Sequence, residues 1–173
     1  WAYEDNLDFM VSGDIKKELT VKGEAIKYAT NFKIEKKGLF TFLKIINPET
    51  KQIEIEYFLK KEGQPNREDM ATIEVPIKSI AALSSTHIGM LNKLNSLYNI
   101  LVISDTNYIS NKSIKGKCRS GHIKSIGGEG IESVEEIIYS KVNVVCYSGF
   151  GKPFPHQDKL KRLGINCIPN YDW

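Results

Sequence analysis

The chain has 173 residues, 41% of them hydrophobic and 26% charged, with 24 basic against 21 acidic side chains. That composition is globular and long enough to bury a core without disulfides or structural metal, and it excludes collagenous, disordered and disulfide-scaffold classes. A formal net charge of +3 with the signs interspersed does not favour nucleic acid, and apolar runs such as Ile100 to Ile103 fall far short of the ~20 residues a spanning helix needs.

Trp1 opens the chain without a basic and apolar leader behind it, so a processed or trimmed chain is expected. Residues 1 to 25 show no clear apolar period and are read as a loose segment or a short helix. Ile26 to Ile34, Leu39 to Ile46 and Ile53 to Leu59 then alternate apolar with polar positions and carry aromatic and β-branched residues. With turns at Lys36-Lys37-Gly38 and Asn47-Pro48-Glu49-Thr50, they predict an antiparallel β meander. In the third strand Ile53, Ile55 and Tyr57 face one way and Glu54, Glu56 and Phe58 the other, so a half-exposed strand is expected. Lys60 to Met70 reads as a connecting loop.

From residue 71 the rhythm changes to short apolar strands alternating with helical patterns, the signature of βαβ units and a parallel sheet. Ser79 to Leu83 is a strand, followed by the candidate N-caps Ser84, Ser85 and Thr86 and a helix carrying Ile88, Leu91, Leu94 and Leu97. Ile100 to Ile103 is the next strand. Ser104 to Lys124 reads as a long polar loop, and a short strand near Ile126 leads into Gly127-Gly128-Glu129-Gly130. A helix from about Glu132 to Tyr139 buries Val134, Ile137 and Ile138. The strand Asn143 to Tyr147, a Gly- and Pro-rich loop, a helix with Leu160 and Leu163 closed by Gly164, and the strand Ile165 to Ile168 follow. The predicted fold class is therefore α/β: a Rossmann-like parallel βαβ lobe over residues 71–173, preceded by a meander within residues 1–70.

In an open α/β sheet the ligand crevice lies outside the C-terminal ends of the strands, which makes each post-strand loop a candidate. Ser85, Thr86 and His87 stand at a helix N-terminus, where free N–H groups receive an anion or carbonyl; a plain cap and a locally bonded histidine are the structural alternatives. Tyr108 is the one aromatic of the polar loop Ser104 to Tyr108. Glu129 sits in a glycine run that lacks the Walker lysine and the dinucleotide fingerprint. Tyr147 and Phe150 place aromatics beside flexible backbone, which suits a flat or apolar ligand face, although core packing also explains them. Lys112, Lys115, Lys117, Arg119 and Lys124 read as a solvated basic loop. Cys146 and Cys167 lie inside apolar runs as small buried hydrophobes, and Cys118 with His122 supplies only two of the four ligands a structural zinc needs. The nucleophile elbow, the H-E-x-x-H motif and an obvious acid–base pair are absent, so catalysis lacks a warrant.

Ile73-Glu74-Val75-Pro76-Ile77-Lys78-Ser79-Ile80-Ala81-Ala82-Leu83-Ser84-Ser85-Thr86-His87 resembles the opening strand and loop of the substrate-binding proteins of ABC importers for iron-siderophores and cobalamin. Asn99 to Asp105 resembles their second strand, Gly127 to Val145 their glycine, loop, Glu-bearing helix and strand, and Lys159 to Ile168 their last helix-to-strand step. The order of these pieces, across residues 71 to 173, is more specific than any one of them. The resemblance implies two α/β lobes joined by a rigid helix with the ligand held between them, this chain matching the N-terminal lobe. It implies capture of a ferric siderophore, cobalamin or related metal chelate and delivery to an ABC permease, by a lipid-anchored protein of the periplasm or outer face of the cytoplasmic membrane. No catalysis, cofactor or protein-bound metal is implied. Alignment of Glu135 to Val145 with the family's helix-to-strand step places Glu135 where such proteins meet permease arginines. A different class stays open beside it: a small α/β enzyme or regulatory domain using His87 with Asp105 or Glu129.

Overall fold

The structure, a computed structural model, describes residues 29–65, 67–127, 134–150 and 154–171. The expectations for residues 1 to 25, for a strand beginning at Ile26, and for Gly128, Glu129, Gly130, Glu132, Gly151 and Pro153 lie outside them. The chain is mixed α/β, and its described residues form two sheets.

The first sheet has the order β1 (Phe32–Lys37), β2 (Phe40–Ile46), β3 (Ile53–Lys61), β4 (Ala71–Val75). The first three strands are the expected antiparallel meander, with Gly38 at φ +59° making the first turn. β4 departs from expectation. It comes after residue 70, where the reading of the sequence opens the βαβ region, yet it lies parallel to β3, Tyr57 opposite Ala71. The loop before it is long enough to return the chain to the same end of the sheet, as a parallel pairing requires. Alternation in β3 holds, but both faces are buried at its middle, where Tyr57 and Phe58 are each within the core.

Lys44 on β2 bridges Glu35 of β1 and, at 3.7 Å, Glu56 of β3. The Lys44 ammonium, and after it Lys37, hold the Glu35 carboxyl below the usual carboxylate range. A carboxyl depressed in the folded state stabilises above its unfolded pKa, and that contribution disappears as pH falls through the folded value. Acidification below about pH 4.3 is therefore expected to lower the melting temperature more in the wild type than in Glu35→Gln, and parallel acid limbs would contradict it.

The second sheet is all parallel, in the order β7 (Lys124–Ser125), β6 (Ile100–Ile103), β5 (Ile80–Ala82), β8 (Val144–Ser148), β9 (Asn166–Asn170). Helices α1 (Ser85–Lys93) and α2 (Lys112–Arg119) cover one face, through Ile88 and Ile114. Helices α3 (Val134–Tyr139) and α4 (Gln157–Arg162) cover the other, through Val134, Ile137 and Leu160. α2 replaces the expected polar loop over Ser104 to Lys124. Asn111 caps it by accepting from the Ile114 N–H at 3.1 Å, and one side only is apolar, with Ile114 fully buried and Cys118 packed beside it. The basic residues Lys112, Lys115, Lys117 and Arg119 are thus helical, and Lys124 begins β7. α1 ends earlier than the apolar spacing suggests, because Leu94 is its exposed C-cap and Leu97 belongs to a separate 3-10 turn. Gly164, at φ +77°, closes α4 as expected, with Ile165 donating to the Leu160 carbonyl at 3.0 Å. Among the described residues no helix is long and apolar enough to cross a membrane.

The first sheet packs where α1 and α2 leave β8 and β9 uncovered. Ile45, Tyr57 and Ile73 meet Val144, with Cys146 and Ile168 alongside. The seam continues along the edge of β9. Tyr57 Oη donates to the Cys167 carbonyl at 2.7 Å, and Asn166 Nδ2 donates to the Thr72 carbonyl at 2.8 Å. Burial pushes the Tyr57 phenol up, which keeps it a donor. Tyr57→Phe leaves that carbonyl without the phenol donor and is expected to cost about 1–3 kcal/mol by chemical denaturation, with an unchanged midpoint counting against the seam.

Candidate functional site

The chain leaves β5 toward β6 through α1 and returns past β7 through α3 to β8, on the other side of β5. The connections that follow β5 and β8 therefore diverge to opposite faces, which makes the C-terminal ends of these two neighbours the topological switch point of a doubly wound sheet, where such folds hold their ligands. Leu83–Ser84 and Gly149–Phe150 are the first residues beyond these two strand ends. Leu83 still donates to the Cys146 carbonyl at 2.9 Å, so the strands separate only beyond that bond.

Of the three candidate caps, Ser84 is the cap of α1. Its Oγ accepts from the Thr86 N–H at 3.3 Å and lies 2.6 Å from Thr86 Oγ1. Ser85 and Thr86 stand exposed in the first turn. His87 is turned inward, 4% exposed, on the same stripe of α1 as Ile88. Tyr108 is 78% exposed, and it shares with Ser85 a cleft of about 180 Å³ between α1 and the β6–α2 connection, floored by Ile88 and Ile109 and rimmed by Asn92 and Asn111.

Tyr147 and Phe150 part company. Strand alternation turns Tyr147 toward α3 and α4, where its ring packs against Phe154 at 5.3 Å between centroids. Burial pushes its phenol up to about 12. Tyr147 is thus a core residue on the face opposite α1, and it does not share a surface with His87. Phe150, just beyond β8, is 40% exposed and meets Tyr171 at the end of β9. The sequence singles out Phe150 but not Tyr171, whose role depends on β9 lying beside β8. Glu129 falls outside the described residues. The described candidate residues therefore do not line one face but resolve into an exposed polar corner (Ser85, Thr86, Tyr108), an aromatic corner (Phe150 with Tyr171), and two buried residues, His87 and Tyr147.

Asp105 spends both carboxylate oxygens on Asn107, from its N–H at 2.9 Å and its Nδ2 at 3.1 Å, and thereby shapes the β6–α2 loop. A second cleft, about 360 Å³, lies beside that loop with Thr106, Lys115, Arg119 and Ser125 on its walls. Cys118 also lines it, its thiol pushed up by burial, while His122 Nδ1 pairs with Ser120 Oγ at 2.8 Å. A larger groove, about 730 Å³, opens elsewhere, at the start of β8 and β9 against β4, lined by Lys60, Arg67, Glu74, Asn143 and Asn166.

Glu135 stands in the first turn of α3, its side chain 76% exposed. Its own backbone N–H, then the Lys159 ammonium at 3.1 Å, hold its carboxyl below the usual range. Glu136, one residue on, is half-buried and lies 3.9 Å from Lys124. Comparison with protein-family models and with curated protein sequences gives no match.

Proposed function

We propose that this chain captures a small solute for an ABC importer, as the ligand-binding lobe of a substrate-binding protein, and that the solute is a ferric siderophore, cobalamin or related metal chelate. The observation that carries the reading is the topological switch point at the C-terminal ends of β5 and β8. The exposed Ser85 and Thr86 follow the first of these strands and the half-exposed ring of Phe150 follows the second. Such a pairing suits a chelate, whose conjugated or apolar face stacks on an aromatic ring while its polar rim takes hydrogen bonds from hydroxyls and helix N–H groups. Of the four ordered pieces that resemble the family, the first begins in β4 of the first sheet before entering β5 and α1, and the described residues of the other three fall in the parallel sheet, its helices and their connections; they favour the same reading. His87 is buried and Asp105 is committed to Asn107, so of the pairs that the enzymatic alternative calls for, His87 with Asp105 gains no support, and Glu129 lies outside the described residues.

In this reading the protein works outside the cytoplasmic membrane, anchored by lipid, and Glu135 meets a permease arginine. Native mass spectrometry of the protein purified from its own host, with an optical spectrum, tests the proposal. An adduct with corrin or ferric-chelate absorption is the expected result. A protein that carries no such adduct, and that leaves the absorption of added cyanocobalamin and ferric siderophores unchanged, overturns it.

A further inference from the structure

The aromatic corner is held from several sides. Phe150 and Tyr171 meet edge to face, with centroids 5.3 Å apart and ring planes at 87°. Gly149 lies so close to the Tyr171 ring that a Cβ there would sit 2.6 Å from Cε1 and 2.8 Å from Cζ, a separation only glycine permits. The Gly149 N–H donates to the Asn170 carbonyl at 2.9 Å, so the ends of β8 and β9 are tied just before the two rings. Asn31 Nδ2, ahead of β1, donates to the Tyr171 carbonyl at 3.3 Å. At the far end of the ring the Tyr171 hydroxyl donates to Glu54 of β3. Burial, and then this bond, raise the Tyr171 phenol, which stays protonated and keeps donating. Two of these contacts, from Asn31 and Glu54, come from the first sheet and its approach, which sit beside the parallel sheet and contribute nothing to the switch point by topology alone.

We propose that Glu54 and Tyr171 are positioning residues of the ligand site at the switch point: Glu54 anchors the Tyr171 hydroxyl, Tyr171 fixes the Phe150 ring, and Phe150 presents its exposed side to a flat conjugated ligand face. The first sheet is then part of the binding apparatus. Without the anchor the Phe150 ring gains freedom that a ligand must remove, and affinity falls by the cost of ordering it. The ligand-facing half of the inference rests on the capture reading; the clamp does not.

The test uses the whole chain and two readouts. In the free protein, ring-proton shifts of Phe150 and Tyr171 report the edge-to-face contact by NMR with labelled aromatics. Glu54→Ala is expected to collapse these shifts toward free-ring values, and Glu54→Gln, whose amide oxygen still accepts from the phenol, to restore them. Shifts unchanged in Glu54→Ala overturn the clamp. In the second readout cyanocobalamin and a ferric catecholate siderophore are titrated by fluorescence quenching. Glu54→Ala is expected to weaken a probe that the wild type binds by about tenfold or more, with Glu54→Gln near wild type. Equal affinity in Glu54→Ala overturns the ligand-facing role while leaving capture intact. If the wild type binds neither probe, that role falls with the capture reading, and the shifts alone decide the clamp.

Discussion

Replacing Phe58 with alanine is expected to lower the unfolding free energy by about 3–5 kcal/mol, the range for deleting a fully buried aromatic side chain. Phe58 has no exposed surface, yet it lies on the face of β3 that turns away from the parallel sheet. What buries it is local. Phe42 of β2 stands directly opposite it in register, with ring centroids 5.9 Å apart, and Phe40 meets it edge-on at 5.6 Å. Above Phe42 the Arg67 guanidinium and the Lys37 ammonium each sit 5.8 Å from the ring centre, closing the cluster with charge on its water side. Gln64 of the same loop donates to the Leu39 carbonyl at 2.8 Å and so holds the loop to the β1–β2 turn. Urea unfolding monitored by circular dichroism checks the prediction. A loss under about 1 kcal/mol would mean that this face is not a second small core.

The second large effect is functional. On the proposed capture role, Glu135→Arg in the protein paired with its permease is expected to abolish ligand uptake while leaving ligand binding in solution unchanged. The carboxylate projects from the first turn of α3, while Val134 and Ile137 take the buried stripe. Lys159 is its neighbour at 3.1 Å, itself half exposed, so the pair is solvated and a partner's guanidinium can displace the lysine at little cost. Bidentate recognition of a carboxylate is what arginine does better than lysine. Glu136 is the natural control, since it is less exposed and faces Lys124; Glu136→Gln should transport normally. Uptake by Glu135→Arg at the wild-type rate would refute the docking role.

The parts of this fold that can be read from the sequence are those whose signal is local. The antiparallel meander follows from alternation and turn residues, and the strands of the parallel sheet from short apolar runs between helical patterns. β4 escapes because Ala71–Val75 alternates like any half-buried strand, and nothing within it says that its partner is β3 rather than the strands that follow. α2 escapes because its eight residues carry one isoleucine and one cysteine among four cations and a glycine, too thin a stripe to register as periodic; the Asn111 cap was the available signal. The candidate site divides in the same way. That Ser85, Thr86, Tyr108 and Phe150 lie at strand ends follows from element order. That Tyr147 faces α3 and α4 is a matter of strand parity, which one residue of register reverses. Tyr171 and Glu54 are 117 positions apart, and no local pattern couples them.

The seam between the sheets also sets an order of events during synthesis. Tyr57 waits for a carbonyl 110 residues downstream, and Thr72 for an amide 94 residues downstream. At ordinary elongation rates of about 5–20 residues per second the first sheet emerges roughly 5–20 s before β9 exists to cover it. For that interval Ile45, Tyr57 and Ile73 form an apolar face turned to water, while the opposite face carries the Glu35, Lys44 and Glu56 charges. The nascent protein is thus a one-sided adhesive until β9 closes the seam, and a holding chaperone is most needed between the birth of β4 and the arrival of β9.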